Sequence, residues 1–127
     1  MPAKTTFSAN KALDKLFGQT NFTPPTDWFI GFLDADENEL SGNGYARVEI
    51  ENSTANFPNA ASGSKTCQAA IETPEATGGD WDEAEYIAFY DASSGGNMWF
   101  KKAITPFTVT EGTVYNLPVG NVVISES

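Results

Sequence analysis

The chain has 127 residues, with 7 Lys and Arg against 17 Asp and Glu and no histidine, for a formal net charge of −10. This length specifies one domain around one core, and a hydrophobic share of 40% with 13% aromatics supplies enough large packing units to fold rather than stay disordered. Without clustered positive charge to release counterions from phosphates, nucleic acid is excluded as a partner.

The first predicted element is a short amphipathic helix. Ala9, Ala12, Leu13, Leu16 and Phe17 recur at i, i+3, i+4, i+7 and i+8 and form one apolar stripe. Ser8 is placed to cap the first amides, Phe7 to staple onto Ala12, and Gly18 to end the helix at positive φ. A helix this brief is marginal alone. Its Leu13, Leu16 and Phe17 face must therefore dock, either on the sheet of its own chain or on a neighbouring subunit. The connector QTNFTPPTD follows, held extended by Pro24 and Pro25.

Beyond the connector the chain predicts strands at 28–33, 45–51, 66–72, 85–91, 98–104, and 114–117 with 122–124, each bounded by Gly, Pro, Asn, Asp or Ser. No helical pattern separates them, which argues against parallel βαβ units. The fold class is all-β: a single antiparallel β-sandwich or barrel-like domain with a short N-terminal α-helix, counting six to seven strands. Segments 28–33 and 86–90 are apolar on both faces and should be the most buried. In 45–51, Arg47, Glu49 and Glu51 share one face and Ala46, Val48 and Ile50 the other, so this strand should have a wet side. The turn DASSGGN at 91–97 reads as a hairpin. The loops 34–44 and 52–65 are longer than a hairpin needs and are expected at the surface, where a rigid scaffold usually carries its binding residues.

Few residues could carry chemistry. Asp34, Asp36 and Asn38 have the alternating oxygens of a calcium loop, but the sixth and twelfth positions hold Glu39 and Tyr45 in place of Gly and Glu. A solvated acidic turn is the better reading. Asp80, Asp82, Glu83 and Glu85 surround Trp81 and could suggest paired glycosidase carboxylates; before a strand, such a group more often serves solubility. With no histidine and a single cysteine, Cys67, the Ser-His and Cys-His nucleophiles and a His- or Cys-based zinc site cannot be built, and no disulfide can close within the chain. No enzyme activity, cofactor or metal is expected. Trp28 and Trp99 lie in apolar strands; Trp81, in a Gly-Gly-led acidic loop, is the tryptophan open to a ligand such as a sugar. No run reaches roughly 18 apolar residues, so no membrane contact is expected. The opening stretch has no signal-peptide core, which points to synthesis in the cytosol and leaves the acceptor motif Asn52-Ser53-Thr54 without a use.

In order along the chain, DWFIGFLDA (27–35), GNGYARVEI (42–50), TGGDW (77–81), YIAFYDASSGGNMWF (86–100) and EGTVYNLPVGNVVI (111–124) cover about three-quarters of the sequence. In this order they resemble a family of small bacteriophage virion structural proteins, labelled tail fibre, minor tail or head decoration proteins. The N-terminal helix fits the family; Asn43 stands where a third glycine is more usual, and the 52–65 loop has no counterpart. The resemblance implies a non-enzymatic part of a virus particle, made in the host cytoplasm. Small size and the lack of a fibrous repeat favour a capsid decoration or cement protein that binds and stabilises the major capsid protein lattice. A tail fibre or minor tail protein contacting other tail proteins is the alternative, and a carbohydrate-binding β-sandwich module a second one. The family further implies a homo-oligomer, commonly a trimer for decoration proteins. The chain divides into an N-terminal helix and arm, 1–25, and a β-sandwich domain, 26–127. The residues expected to meet a partner are Phe7, Leu13, Leu16, Phe17 and Phe22 on the arm and Phe57 and Pro58 on the long loop, with Trp81 as the ligand candidate.

Overall fold

The computed structural model of the chain describes residues 5–60, 64–119 and 122–125. One helix, α1 (Thr6–Leu16), precedes eight strands: β1 (Asp27–Leu33), β2 (Val48–Glu51), β3 (Ser64–Thr66), β4 (Ile71–Glu72), β5 (Ala84–Tyr90), β6 (Met98–Phe107), β7 (Asn116–Leu117) and β8 (Val123–Ser125). The main sheet has the order β2-β1-β5-β6, and β3-β8 and β4-β7 form two-stranded ribbons. Every pairing is antiparallel. The all-β class with a single helix is therefore the architecture of the protein.

The core lies between the main sheet and the ribbons. Ile30 and Phe32 of β1, Ile50 of β2, and Ile87 and Phe89 of β5 meet Ile71, Leu117 and Val122 from the other side. As expected, β1 and β5 are the central strands. Their opposite face carries a smaller buried cluster of its own, Leu33, Ala88 and Tyr90, which explains why both strands read as continuous apolar runs. The hairpin at 91–97 joins β5 to β6.

Three predicted strands differ from those observed. Segment 66–72 is split because its two ends pair with different strands, β3 with β8 and β4 with β7, and the link between them sends the Gln68 amide to the Asn56 carbonyl. Segment 45–51 is extended only from Val48, because Tyr45 and Arg47 are drawn into a polar cluster instead. Finally, β6 runs on to Phe107 as the outer strand of the main sheet, with its register slipping twice. Phe89 faces Phe100 but Tyr90 faces Met98, so Trp99 is extra; Tyr86 faces Ala103 but Ala84 faces Phe107. Such bulges twist and re-aim a strand.

The start of α1 also differs. Thr5, not Ser8, is the cap: its hydroxyl accepts the Ser8 amide at 3.2 Å, while Ser8 is buried inside the helix and returns a bond from its own hydroxyl to the Thr5 carbonyl at 3.1 Å. Phe7 serves no staple onto Ala12 and points at Trp99. Gly18 follows the helix at a φ of +116°, as its role as terminator requires.

Candidate functional site

The bulge at Trp99 is what holds the N-terminal arm. Having no partner across β5, the Trp99 carbonyl accepts the Thr5 amide at 3.0 Å, and the Thr5 hydroxyl donates to the Met98 carbonyl at 2.7 Å. The Trp99 ring is surrounded by Phe7 edge-on at 4.9 Å, Phe22 at 5.6 Å and Trp28 at 5.8 Å, and its indole N–H donates to Asp91 Oδ2 at 3.1 Å. Hydrogen bonds from Asn97 and Trp99 outweigh burial and hold the Asp91 carboxyl below its ordinary pKa. Lys11 and Lys15 lie over the rings of Phe7 and Phe22, at 5.4 and 5.7 Å. The arm thus grips the sheet through Thr5, Phe7 and Phe22.

This grip turns the apolar stripe of α1 outward. Leu13, Leu16 and Phe17 are 53%, 73% and 77% exposed, so they do not dock on the sheet of their own chain. Each would gain roughly 1.5–3 kcal/mol from full burial. Of the arm residues singled out from sequence, Phe7 and Phe22 serve attachment to Trp99, and Leu13, Leu16 and Phe17 form the open ridge.

The loop candidates are placed otherwise. Phe57 is a core residue, not a surface anchor. The turn that begins at Ser53, closed by Phe57 N–H to the Ser53 carbonyl and by Asn56 to Ser53 and Glu51, folds it inward against Phe89 at 6.4 Å. Pro58 alone of that pair is exposed. Trp81 is also buried, contrary to the expected open loop. Gly42, Asn43 and Gly44 all take positive φ and wrap over it, so that the Asn43 carbonyl accepts both the Trp81 indole N–H at 2.8 Å and the Thr77 amide at 2.9 Å, with Tyr45 edge-on at 5.2 Å. At φ +53° Asn43 occupies the left-handed region that glycine favours and asparagine tolerates. A sugar cannot stack on this ring.

Sequence reading missed the polar cluster beneath loop 34–44 and the 91–97 hairpin turn. Arg47, the single arginine of the chain, has a side chain only 6% exposed. It donates to both Glu39 oxygens at 2.9 and 2.8 Å and to the carbonyls of Ala92 and Gly95 at 2.7 and 2.9 Å, and it lies 3.4 Å above the Tyr90 ring. The Tyr45 hydroxyl donates to Glu39 at 2.6 Å and accepts the Phe32 amide at 3.0 Å. Burial raises the Glu39 pKa, but the bonds from Arg47 and Tyr45 outweigh it and leave the carboxyl below its ordinary value; burial and the Glu39 charge push Tyr45 strongly upward. Gly31 forms the floor: a Cβ there would fall 2.8 Å from Tyr45 Oη and 2.9 Å from Glu39 and Tyr90. A carboxylate, a tyrosine and an arginine together resemble catalytic machinery, yet their polar atoms bond to one another and to backbone. The cluster clamps loops 34–47 and 91–97 to the sheet. In the former loop, Asp34 Oδ1 is taken by the amides of Asp36 and Asn38, the local bonding of an acidic turn.

A second open feature, of mixed polar and apolar lining that includes Lys102 and Asn116, lies along the outer side of β6. A groove of about 640 Å³ runs between β6 and the segment around β7 and β8, walled by Ala103, Ile104, Thr105, Leu117, Pro118 and Val122. Val114 and Val119, both exposed, stand in the chain on either side of β7. No helix of the described residues is long and apolar enough to cross a membrane.

A search of curated proteins finds no match. A family model does match, over residues 3–125, and it is described as Podophage GP4 fiber I protein gp80. The span takes in α1, the Trp99 attachment, the Arg47 clamp and all eight strands, and the chain belongs to this family of phage fibre proteins.

Proposed function

We propose that the protein is a non-enzymatic structural component of a phage tail fibre, joined to its virion partner through the outer face of α1. The family match over nearly the whole chain carries this reading. It favours the fibre placement, the alternative of the sequence reading, over capsid decoration. The open Leu13 and Leu16 of α1, one helical turn apart, with Phe17 at the extended C-cap beside them, supply the attachment chemistry. The sugar-module reading loses its basis with the burial of Trp81. Synthesis in the host cytoplasm followed by assembly fits a domain stabilised by packing, with its one thiol, Cys67, buried.

Cryo-electron microscopy of the parent particle tests the placement. Density for this fold on the tail is the expected result. Copies repeated over the capsid lattice would restore the decoration reading, and absence from the particle would overturn both.

A further inference from the structure

We infer that the N-terminal arm is a releasable strap: residues 5–22 leave Trp99 as one unit while the sheet stays folded, and the chain pivots at Thr23 and Pro24. The inference rests on reading α1 as the attachment element and says how that element is joined to the body of the protein. Every buried hydrophobic side chain among the described residues lies at Ile30 or beyond, and neither core cluster contains an arm residue. Ser8, buried within the helix, directs its hydroxyl to the Thr5 carbonyl of the same arm. The core of the sheet therefore closes without the arm.

What holds the arm down meets at one ring. Among the described residues Thr5 alone hydrogen-bonds the arm to the sheet, at the Trp99 and Met98 carbonyls of the bulge, while Phe7 and Phe22 press on Trp99 from the two ends of the segment. The other bonds of the arm are internal. The Ala9 amide returns to the Thr5 carbonyl, and positive φ at Gly18 (+116°) and Gln19 (+59°) turns the chain back, so that the Thr20 amide meets the Asp14 carbonyl at 2.9 Å and the Phe22 ring lies under Lys15. Helix and turn thus hold each other whether or not they are seated on Trp99. Beyond the pivot the chain is fixed again, because the Pro25 and Thr26 carbonyls accept the side-chain and backbone amides of Asn52 at 2.8 and 3.0 Å. Between the two fastened parts stand Thr23 and Pro24, both exposed. Segments with few buried apolar contacts open below the free energy of global unfolding. A released arm keeps α1 on its partner while the body swings, in directions limited by the fixed φ of Pro24 and Pro25.

Native-state hydrogen exchange on the full chain tests this, with the Thr5 amide reporting the seat on Trp99 and the amides that pair β1 with β5 reporting the sheet. The expected result is protection at Thr5 roughly tenfold or more below that of the β1–β5 amides. Phe22→Ala, at the opposite end of the arm from Thr5, should lower Thr5 protection by roughly a further tenfold and leave the β1–β5 amides unchanged, because loss of one hold frees the whole unit. Thr5 protection untouched by Phe22→Ala would mean that the two ends come away separately, and would overturn the inference. Protection at Thr5 equal to that of the sheet, or a sheet that loses protection together with Thr5 in the variant, would make arm and sheet one cooperative unit and overturn it as well. Particle location and exchange are independent readouts: a strap that opens on a chain missing from the tail sinks the fibre placement, and an arm that never opens on a chain found on the tail sinks the strap.

Discussion

The Arg47 clamp and the N-terminal arm both fasten peripheral segments to the main sheet, and they do so in opposite ways. The clamp is closed: Arg47, Glu39 and Tyr45 spend their polar atoms on each other and on loop carbonyls, leaving no site for an outside molecule. The arm is half closed, with one side packed on Trp99 and the other bare. Length and polarity made the loops the obvious binding candidates, yet satisfied bonds tie them down. The helix, by contrast, keeps apolar side chains of its stripe uncovered by its own chain.

The comparison can be broken at several points. Arg47→Ala leaves the half-buried Glu39 without its counter-charge and strips two loop carbonyls of their donor, and should cost about 1–3 kcal/mol in chemical denaturation, the penalty for lost hydrogen bonds to a charged group; a loss under about 0.5 kcal/mol would show the clamp to be ornamental. The same pair sets a pH dependence. Because the folded Glu39 carboxyl lies below its ordinary value, its stabilisation is fully present above the ordinary carboxylate range and is lost as pH falls through the folded value. Acid titrations of wild type and Arg47→Ala should differ in that window and run parallel above it.

Gly31→Ala forces a methyl group into the floor of the clamp and should cost about 1–3 kcal/mol, as overpacking does. Thr5→Ala removes the α1 cap and the bond to Met98; a loss of about 1 kcal/mol should appear as faster amide exchange in α1 with little change in the sheet. Leu16→Asp with Phe17→Asp should leave stability within about 0.5 kcal/mol, as for surface substitutions. Destabilisation by more than about 2 kcal/mol would mean that the ridge packs on its own chain.

Much of the fold is legible in the sequence because it rests on local signals. The two apolar strands, the glycine-rich hairpin between β5 and β6 and the helix with its terminal Gly18 follow from periodicity and turn chemistry. What stays hidden depends on partners far away in sequence. The apolar stripe of α1 is visible, but its outward rotation depends on Thr5 and Phe7 reaching Trp99, more than 90 residues distant. Phe57 and Trp81 sit among small or acidic neighbours that suggest exposure, and only the folded turns around Ser53 and Asn43 bring them inside. Arg47 looks like one residue of a wet strand face; its being the only arginine in an acidic chain is the signal that could have marked it.

The irregular course of β6 has a consequence for how copies of the protein behave when concentrated. A straight ten-residue strand at the border of a sheet offers a ladder of backbone groups to any passing chain, the usual route to aggregation. Here two bulges break the ladder, Pro106 lacks a donor, Lys101 and Lys102 add charge, and the Thr5 amide occupies the Trp99 carbonyl. Indiscriminate backbone pairing is blocked at that border, and any molecule that meets it must do so through side chains, where fit and charge can distinguish a proper neighbour from a wrong one.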